Sequence, residues 1–598
     1  MSMFVEQKTI RQLFEDKKSD FLIPDYQRPY AWTEDECLKL WYDVQSFAFP
    51  DDDYTHFNSD EDEYFLGPIV VFKNKDAQGK MEVIDGQQRL TTFMLLLRAF
   101  YRKYEISNMQ DEASTTTRDN IGKCIWKTNE FGKPDQTKLK IQSEVATDGD
   151  KSEFLEILKT GVVAPKQKSK YARNYQFFQE RIEEFQKKYP EYFSYFPVRI
   201  LNNCILLPIE AESQDSALRI FSTLNDRGKP LSDADIFKAQ FYKHYASVGQ
   251  KDEFIRRWKK LEELCAKIFR SASDSPMDEL FTRYMYYERA KLGVKNSTVE
   301  ALRKFYERND YSLLKKSATF DNLNALALFW KDVANQNAEA FSDKVLRRLF
   351  VLNYAPNSMW TYLVSVYFMQ NKKRKPTDDD ANDDLDDNPF YLDDDPFYEF
   401  LNRITAFIFA YAVTNPGVNA LRTPVFAEML NIVGGKQVTF SENKFARDFV
   451  ENQLAHYEFS NRRPMTKSML VWWAFHDDSQ ELMDLDTTLE IEHIISKKRQ
   501  EKQRVLTDAR LLESLGNKAI LEKRINIQAS DYRFSDKSQY YLGFPGKASR
   551  KNKKPTQVNE LLTLAKTKSD FVQADVNARK NGIIGGFLNF MESNGLFQ

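Results

Sequence analysis

The sequence has few cysteines, almost no net charge and no long apolar run, and each shortage argues against a class of protein. Its four cysteines form no CxxC pair, which argues against a zinc knuckle or a disulfide scaffold and favours a reducing cytoplasm. No stretch of about 18 apolar residues occurs, and the first residues are charged throughout, so we expect neither a membrane span nor an export signal. With a formal net charge of -2, any nucleic acid must be bound by local basic patches.

The composition is that of a folded protein with several domains. At 598 residues the chain is longer than one hydrophobic core usually serves. Its hydrophobic share of 42% and aromatic share of 14% are typical of packed cores. We predict an α+β, predominantly helical fold with domains at residues 1–248, 249–396 and 397–598. The aspartate-rich segment 375–396 is expected to be an exposed loop or linker, because like charges repel.

Local patterns predict the main elements. Residues 64–84 are typical of a hairpin with Gly79 in its turn, and a long, largely buried helix is predicted from Leu90 onward. The spacings Thr33 to Glu36 and Ser232 to Asp235 predict capped helix starts, the second after a helix stop at Asp226, Arg227 and Gly228. Residues 250–370 are helical in pattern throughout.

The stretch IDGQQRLTT, residues 84–92, lies where the predicted hairpin meets the predicted helix. A strand end, a glycine and a helix start bring together free backbone N–H groups and the positive end of the helix dipole, which together favour an anion. Several side chains here suit such a site. Arg89 suits phosphate, and Gln87 and Gln88 are neutral donors and acceptors. Asp85, next to Gly86, could hold a metal ion or orient the arginine.

The earlier stretch PDYQRPYAW offers a matching set of side chains. Gln27 and Arg28 suit phosphate, and Tyr26, Tyr30 and Trp32 suit stacking on a base. Together with residues 85–89 they would form a pocket for a nucleotide or the DNA backbone. In the alternative interpretation Arg89 pairs with a carboxylate to brace the junction while the aromatics belong to the core, and composition alone leaves both open.

A second set of polar residues lies near the C-terminal end. In LEIEHIIS, residues 489–496, Glu492 and His493 are adjacent, and adjacent strand residues point to opposite faces unless the backbone bends. Asn517 and Asn526 follow at a spacing that fits the strand, loop and helix of a ββα-metal (HNH-like) nuclease. The basic runs 497–504 and 546–555 bracket this region and suggest phosphate contacts, with solvated surface lysines as the alternative.

Three motifs carry a family resemblance: IPDYQRPYAW, then FLGPIVVFKNKDAQGKMEVIDGQQRLTT, then IFSTLNDRGKPLSDADIFKAQ. In this order they resemble the ParB/sulfiredoxin-like N-terminal domain of GmrSD-type, modification-dependent type IV restriction systems, whose relatives include SspE-type phage-defence proteins. The resemblance implies a domain that binds and usually hydrolyses a nucleoside triphosphate, with Asp85 to Arg89 in its phosphate site. Sulfur reductase chemistry is not expected, because no cysteine lies near those residues.

The strings IEHIIS, LGNKAIL and RINIQASDYRFSDKSQYY resemble the HNH-like C-terminal domain of the same family. That resemblance implies that Glu492 and Asn526 hold one divalent metal, Mg²⁺ or Mn²⁺, while His493 activates water and Asn517 fixes the histidine or its loop. An imidazole near neutrality and a hard metal with oxygen ligands suit phosphodiester hydrolysis.

The leading hypothesis is a cytoplasmic, nucleotide-regulated DNA endonuclease of phage defence that acts on modified DNA. One alternative is a non-cleaving sensor that binds nucleotide and DNA and keeps the HNH-like domain for structure. Another is a stand-alone NTPase of the ParB/sulfiredoxin superfamily. The expected partners are DNA and a nucleoside triphosphate, and a homo-oligomer is compatible with the sequence.

Overall fold

The computed structural model describes most of the chain. The chain forms two compact units, residues 1–260 and 261–598. The architecture is α+β and predominantly helical. The structure describes residues 3–16, 19–50, 56–73, 79–107, 111–145, 148–212, 216–217, 220, 232–269, 275–298, 300–375, 388–417, 420–544 and 554–598.

The described residues of the first unit form a mixed sheet of seven strands. The predicted hairpin is confirmed, because Tyr64–Lys73 pairs antiparallel with Met81–Asp85. The sheet order is Met3–Val5, Cys204–Ala211, Tyr64–Lys73, Met81–Asp85, Phe21–Ile23 and Ile141–Ser143, with Lys8–Thr9 also pairing with Cys204–Ala211. Three of the pairings are parallel. Strand Tyr64–Lys73 runs parallel to Cys204–Ala211, and strand Phe21–Ile23 runs parallel to both Met81–Asp85 and Ile141–Ser143. Trp126–Thr128 and Pro134–Leu139 form a separate two-stranded ribbon.

Helices cover the sheet of the first unit. The predicted long helix is confirmed as Gln87–Ser107, which is buried on most of its surface and packs against Lys170–Lys188. Its apolar side chains therefore form the centre of the first core. The other helices are Ile10–Glu15, Glu34–Ala48, Glu112–Ile125, Lys151–Thr160, Tyr195–Asn203 and Asp233–Ser247, and Lys251–Ile268 includes the boundary between the units.

Both predicted capping boxes are confirmed. The Glu36 carboxylate accepts a hydrogen bond of 2.6 Å from Thr33 N at the start of helix Glu34–Ala48. Ser232 and Asp235 bond each other's backbone N–H groups at 3.2 Å, which defines the start of helix Asp233–Ser247. The predicted helix stop at Asp226, Arg227 and Gly228 lies outside the described residues.

In the described part of the second unit, helices are joined by two short antiparallel ribbons, Lys373–Arg374 with Phe390–Tyr391 and Leu489–His493 with Lys518–Glu522. Its α-helices are Pro276–Lys291, Leu302–Tyr306, Arg308–Tyr311, Ser317–Ala334, Asp343–Leu352, Met359–Asn371, Asp394–Thr414, Arg422–Val433, Arg447–His456, Pro464–Ala474, Lys497–Gln503, Lys523–Ala529, Phe534–Tyr541, Asn559–Thr567 and Gln573–Ser593. Short 3₁₀ turns lie at Ser441–Asn443, Ala509–Glu513 and Leu515–Asn517. The helical pattern predicted for residues 250–370 is confirmed.

The aspartate-rich segment is described only at its ends. Residues 376–387, which hold most of its aspartates, lie outside the described part of the chain. After them come the strand Phe390–Tyr391 and a helix that begins at Asp394. A domain division at residue 396 stays a prediction. Among the helices of the described ranges, none combines the length and apolar character that a bilayer crossing requires.

Candidate functional site

The junction in the first unit is built around Gly86. Strand Met81–Asp85 ends directly before it, and helix Gln87–Ser107 begins directly after it. Gly86 has a φ of +90°, and a Cβ atom there would lie 2.5 Å from Ile69 Cγ2. Only glycine therefore allows the helix to start so close to the neighbouring strand.

The two N-terminal motifs meet through a pair of glutamines. Gln27 Nε2 donates to the carbonyls of Val83 and Ile84, and Gln87 Nε2 donates to Gln27 Oε1 at 2.9 Å. Both glutamines are buried. The structure therefore brings residues 26–32 and 85–89 together, with these amides engaged in bracing the contact.

Gln88 makes a second link between the motifs. Its Oε1 accepts from Ala31 N at 2.7 Å and its Nε2 donates to the Pro29 carbonyl at 3.2 Å. It too is buried. Because both ends of the amide are used on the backbone, Gln88 positions the proline-rich loop.

The charged groups of the junction are Asp85, Arg89 and Arg28. Asp85 Oδ1 accepts from Gly86 N at 2.7 Å, and burial raises the pKa of the carboxyl group while that bond, Arg89 and Arg28 oppose the rise. Arg89 Nη1 donates to the Pro68 carbonyl at 2.8 Å, and burial lowers the pKa of its guanidinium. Arg28 Nε is buried without a hydrogen-bond partner among the described residues. Arg28 thus keeps a buried donor that no described residue satisfies.

The aromatic residues of this region are packed. Tyr30 stacks on Tyr171 with ring centres 4.8 Å apart, and its hydroxyl group bonds Thr92 Oγ1 at 2.7 Å and Asn174 Nδ2 at 3.0 Å. Burial raises the pKa of Tyr30 well above its usual value. The ring is therefore covered, and its geometry favours the alternative in which it belongs to the core. Tyr26 is likewise buried.

The second candidate site has a strand, strand, helix order. Leu489–His493 pairs antiparallel with Lys518–Glu522, and helix Lys523–Ala529 follows at once. His493 lies opposite Lys518 in this register. The side chains of Glu492 and His493 reach different neighbours, Lys537 and Glu513, as expected for adjacent strand residues.

Glu492 is neutralised by a buried lysine. Its Oε1 accepts from Lys537 Nζ at 2.7 Å and from the Tyr541 hydroxyl group at 2.6 Å. Lys537 also donates to the His493 carbonyl at 2.6 Å and is only 1% exposed. Burial raises the pKa of Glu492, and Lys537 opposes that rise. Lys537 and Tyr541 were not singled out from the sequence, although their spacing of one helical turn puts both on one helix face.

Asn526 bonds a different carboxylate. Its Nδ2 donates to Glu490 Oε2 at 2.8 Å, and Glu490 precedes Glu492 by two strand positions, on the same face. The carboxylate and amide oxygens on this face are hard donors that suit Mg²⁺ or Mn²⁺. Within the described ranges, no group of three or more His, Cys, Asp or Glu side chains is arranged to hold a metal ion. The donor chemistry thus fits, while Glu492 and Asn526 are engaged with separate partners.

His493 lies against Glu513 on the other face of the strand. Its Nε2 is 3.5 Å from Glu513 Oε1 and has no hydrogen-bond partner in the described part of the chain. Burial lowers the pKa of His493 to about 4; Lys518 and Lys497 lower it further, and Glu513 opposes them. The imidazole is therefore neutral near pH 7, the form that can accept a proton.

Asn517 holds the loop that follows His493. Its Oδ1 accepts from Ile495 N at 2.7 Å, and its Nδ2 donates to the carbonyls of Ile495 and Leu512 at 3.1 and 3.0 Å. The residue is fully buried. A Cβ atom on Gly516 would lie 1.9 Å from Val576 O, so helix Gln573–Ser593 packs tightly on this turn. The arrangement fixes the backbone beside His493.

Basic side chains surround the second site. Lys497, Lys498, Lys502 and Arg504 are exposed on or beside helix Lys497–Gln503. Arg499 pairs with Asp570 through both Nη atoms, at 2.8 and 2.7 Å, so it braces the structure. Of the second basic run, residues 546–553 lie outside the described residues. Lys498 and Lys502 are thus available for phosphate contacts, whereas Lys497 lies 3.5 Å from Glu513 Oε1.

Two family models match the chain in these regions. The GmrSD restriction endonuclease N-terminal domain matches residues 10–242, and the C-terminal domain of the GmrSD restriction endonucleases matches residues 439–584. The first range contains Asp85 to Arg89, and the second contains Glu492, His493 and both predicted asparagines. No curated protein sequence matches the chain. The two matches span both candidate sites and most of the chain, and the protein belongs to the GmrSD restriction endonuclease family.

Proposed function

We propose that the protein is a metal-dependent DNA endonuclease of phage defence that is regulated by a nucleoside triphosphate and acts on modified DNA in the cytoplasm. Family membership supports the coarser activity, DNA cleavage by a restriction endonuclease. We assign the nuclease chemistry to an HNH-like region around His493 and nucleotide binding to a ParB/sulfiredoxin-like domain containing Arg89.

The observation that carries the proposal is the state of His493. A neutral imidazole can take a proton from an attacking water, and His493 Nε2, which is buried 3.5 Å from Glu513 Oε1, has no hydrogen-bond partner of its own among the described residues. Asn517 keeps the neighbouring loop rigid, which would hold the imidazole in one orientation. The exposed lysines 498 and 502 would bind the phosphates that flank the scissile bond.

Glu492 and Asn526 would hold a divalent ion, whose charge would stabilise the scissile phosphate and the leaving oxygen. Their hard oxygen donors support this assignment. Lys537 would lower the affinity of Glu492 for that ion, because its ammonium group competes with any cation for Glu492 Oε1.

The nucleotide is assigned to the junction in the first unit. The start of helix Gln87–Ser107 favours an anion, and Arg28 Nε has no partner within the described residues. Arg89 lies beside the same junction, with Nη1 on the Pro68 carbonyl. Gln27, Gln87 and Gln88 would shape the site by bracing its loop.

A nicking assay tests the nuclease proposal. Supercoiled plasmid and phage DNA, unmodified or carrying glucosylated hydroxymethylcytosine or phosphorothioate, would be incubated with Mg²⁺ or Mn²⁺ and each nucleoside triphosphate. His493→Ala should lower the nicking rate by about 10²-fold to 10⁴-fold, as expected for loss of a general base. His456→Ala, at an exposed position, is the matched control and should nick like the parent. Equal nicking by His493→Ala would refute the assignment.

The regulatory part needs its own variant. Arg89→Ala should weaken binding or hydrolysis of the nucleoside triphosphate and make nicking insensitive to added nucleotide, while Mg²⁺-dependent nicking itself persists. His493→Ala should show the reverse, retaining hydrolysis and losing nicking. If Arg89→Ala hydrolyses nucleotide at the parental rate, the phosphate role of Arg89 is wrong.

A second candidate is a non-cleaving sensor that binds nucleotide and DNA. The observation in its favour is the Lys537 ammonium group on Glu492, which gives the predicted metal ligand a cation from the protein itself. This candidate predicts retention of DNA in a gel-shift assay without nicking of any substrate. The nicking assay therefore separates the two.

A further inference from the structure

The two ring nitrogens of His493 have different surroundings. Nε2 is buried 3.5 Å from Glu513 Oε1 and has no hydrogen-bond partner among the described residues. The side chain as a whole keeps 13% of its surface exposed, and Nδ1 is neither buried nor bonded to any described residue. Water can therefore reach Nδ1 but not Nε2.

The Glu513 carboxylate is held in place by a buried lysine. Glu513 ends the 3₁₀ turn Ala509–Glu513, and its Oε2 accepts from Lys518 Nζ at 2.5 Å. Lys518 is fully buried and lies directly opposite His493 on the neighbouring strand. Because opposite residues of paired strands point to the same face, Lys518 keeps the carboxylate on the face where His493 lies. Glu513 Oε1 is then the oxygen that faces His493 and the exposed Lys497, each 3.5 Å away.

A carboxylate beside Nε2 decides which ring nitrogen carries the proton. The imidazole of His493 is neutral near pH 7, since burial lowers its pKa to about 4, and a neutral imidazole has one N–H group and one lone pair. An N–H group on Nε2 directs its positive end at Glu513, whereas a lone pair there would face a negative charge in a buried place. The N–H group is therefore favoured on Nε2, which leaves the lone pair on Nδ1.

We propose that Glu513 is a positioning residue for the nuclease reaction: it holds His493 in the Nε2–H tautomer, so that Nδ1 takes the proton from the attacking water. This inference rests on the proposed function of His493. As the proton moves to Nδ1, the water oxygen bonds to phosphorus and the bond from phosphorus to the leaving oxygen breaks. The leaving oxygen takes a proton from solvent, and the imidazolium returns one to solvent.

Glu513→Gln tests the tautomer directly. Glutamine has nearly the same size as glutamate, but it has one acceptor oxygen in place of two. The Lys518 ammonium group requires that oxygen, so the NH₂ group would face His493 Nε2 and favour the opposite tautomer, with the proton on Nδ1. Nicking by Glu513→Gln should be at least tenfold slower than nicking by the parent, because the corresponding Asp-to-Asn change in a catalytic triad costs about 10⁴-fold.

The tautomer can be measured without any nuclease activity. Long-range ¹H–¹⁵N correlation spectra of the full chain, labelled with ¹⁵N-histidine and recorded at about pH 7, distinguish the two forms. His493→Ala identifies the signals of His493 among those of the five histidines. The parent should show only the Nε2–H form, and Glu513→Gln should show mainly the Nδ1–H form. A purely structural role of Glu513 would leave the tautomer unchanged.

Three further variants complete the test. Glu513→Asp retains a carboxylate and should keep the parental tautomer. Glu513→Ala removes it and should make the Nδ1–H form detectable, so the result does not depend on how well Glu513→Gln folds. Glu442→Gln, at an exposed position in the 3₁₀ turn Ser441–Asn443, is the charge-matched control and should match the parent in tautomer and in nicking.

Three outcomes would overturn the positioning role of Glu513. The first is an Nδ1–H form in the parent, and the second is an unchanged tautomer in both Glu513→Gln and Glu513→Ala. The third is a changed tautomer with parental nicking. If the parent nicks no substrate, the nuclease proposal itself fails, while the spectra still decide whether Glu513 sets the tautomer of His493.

Discussion

Lys537 Nζ lies 2.7 Å from Glu492 Oε1, and the same ammonium group donates to the carbonyl of His493. One buried cation therefore binds two consecutive residues of the strand that carries the predicted nuclease chemistry. Tyr541, one turn further along the same helix, donates to the same carboxylate oxygen. Helix Phe534–Tyr541 thus supplies the countercharge of Glu492 and holds the backbone carbonyl of His493.

Lys537→Met should destabilise the protein by about 3–5 kcal/mol at pH 7, because it leaves the Glu492 carboxylate buried without a countercharge. Urea unfolding followed by circular dichroism measures the change. Lys523→Met is the matched control. This lysine is exposed, and its Nζ comes no closer than 4.0 Å to Glu490 Oε1, so its removal should cost less than about 1 kcal/mol. Equal stability of the two variants would contradict a structural role for the ion pair.

Protonation of His493 should lower the free energy of unfolding as the solution becomes acidic. Burial lowers its pKa in the folded chain to about 4, whereas the pKa of a histidine in the unfolded chain is about 6.5. The folded chain therefore binds fewer protons between these values, so the contribution of His493 is complete above pH about 6.5 and is lost as the pH falls toward 4. The free energy of unfolding of His493→Ala should fall less steeply over this window than that of the parent. A parallel decline in both would show that His493 is not buried.

Asn517→Ala should cost about 3 kcal/mol in stability, because it leaves an N–H group and two carbonyl groups of a buried loop unpaired. Asn526→Ala, which removes a single hydrogen bond to Glu490, should cost about 1 kcal/mol. Thermal unfolding of both variants gives the comparison. Nicking by Asn517→Ala should fall less than nicking by His493→Ala, because Asn517 positions the loop and transfers no proton. A larger loss in Asn517→Ala would reverse these roles.

Gly86→Ala should destabilise the first unit by about 1–3 kcal/mol beyond the cost of its backbone angle, because the new methyl group would overlap Ile69. Gly132→Ala isolates the backbone cost, since Gly132 has a φ of +71° and no described atom within 4 Å of the added Cβ position. Differential scanning calorimetry of the two variants measures the difference. Equal destabilisation would mean that strand Tyr64–Lys73 can move away at no cost.

Short-range patterns account for much of the fold. The hairpin at residues 64–84, the helix after Gly86 and both capping boxes are predictable because each depends on periodicity or on side chains within one helical turn. The two glutamine-containing motifs are expected to meet, and Gln87 does bond Gln27. In the structure the side-chain amides of Gln27 and Gln87 form hydrogen bonds within the protein, which composition could not reveal.

The sequence by itself determined the helical character, the local caps and the family, because these reside in contiguous motifs. Strand alternation also assigns Glu492 and His493 to opposite faces of their strand without reference to any distant segment. Only the tertiary structure decided what each side chain meets: Lys537 beside Glu492, Tyr171 over Tyr30, and Arg348 over the Phe590 ring. Such contacts join segments that are distant along the chain, and they arise when packed elements bring buried charges and rings together, which no local pattern records.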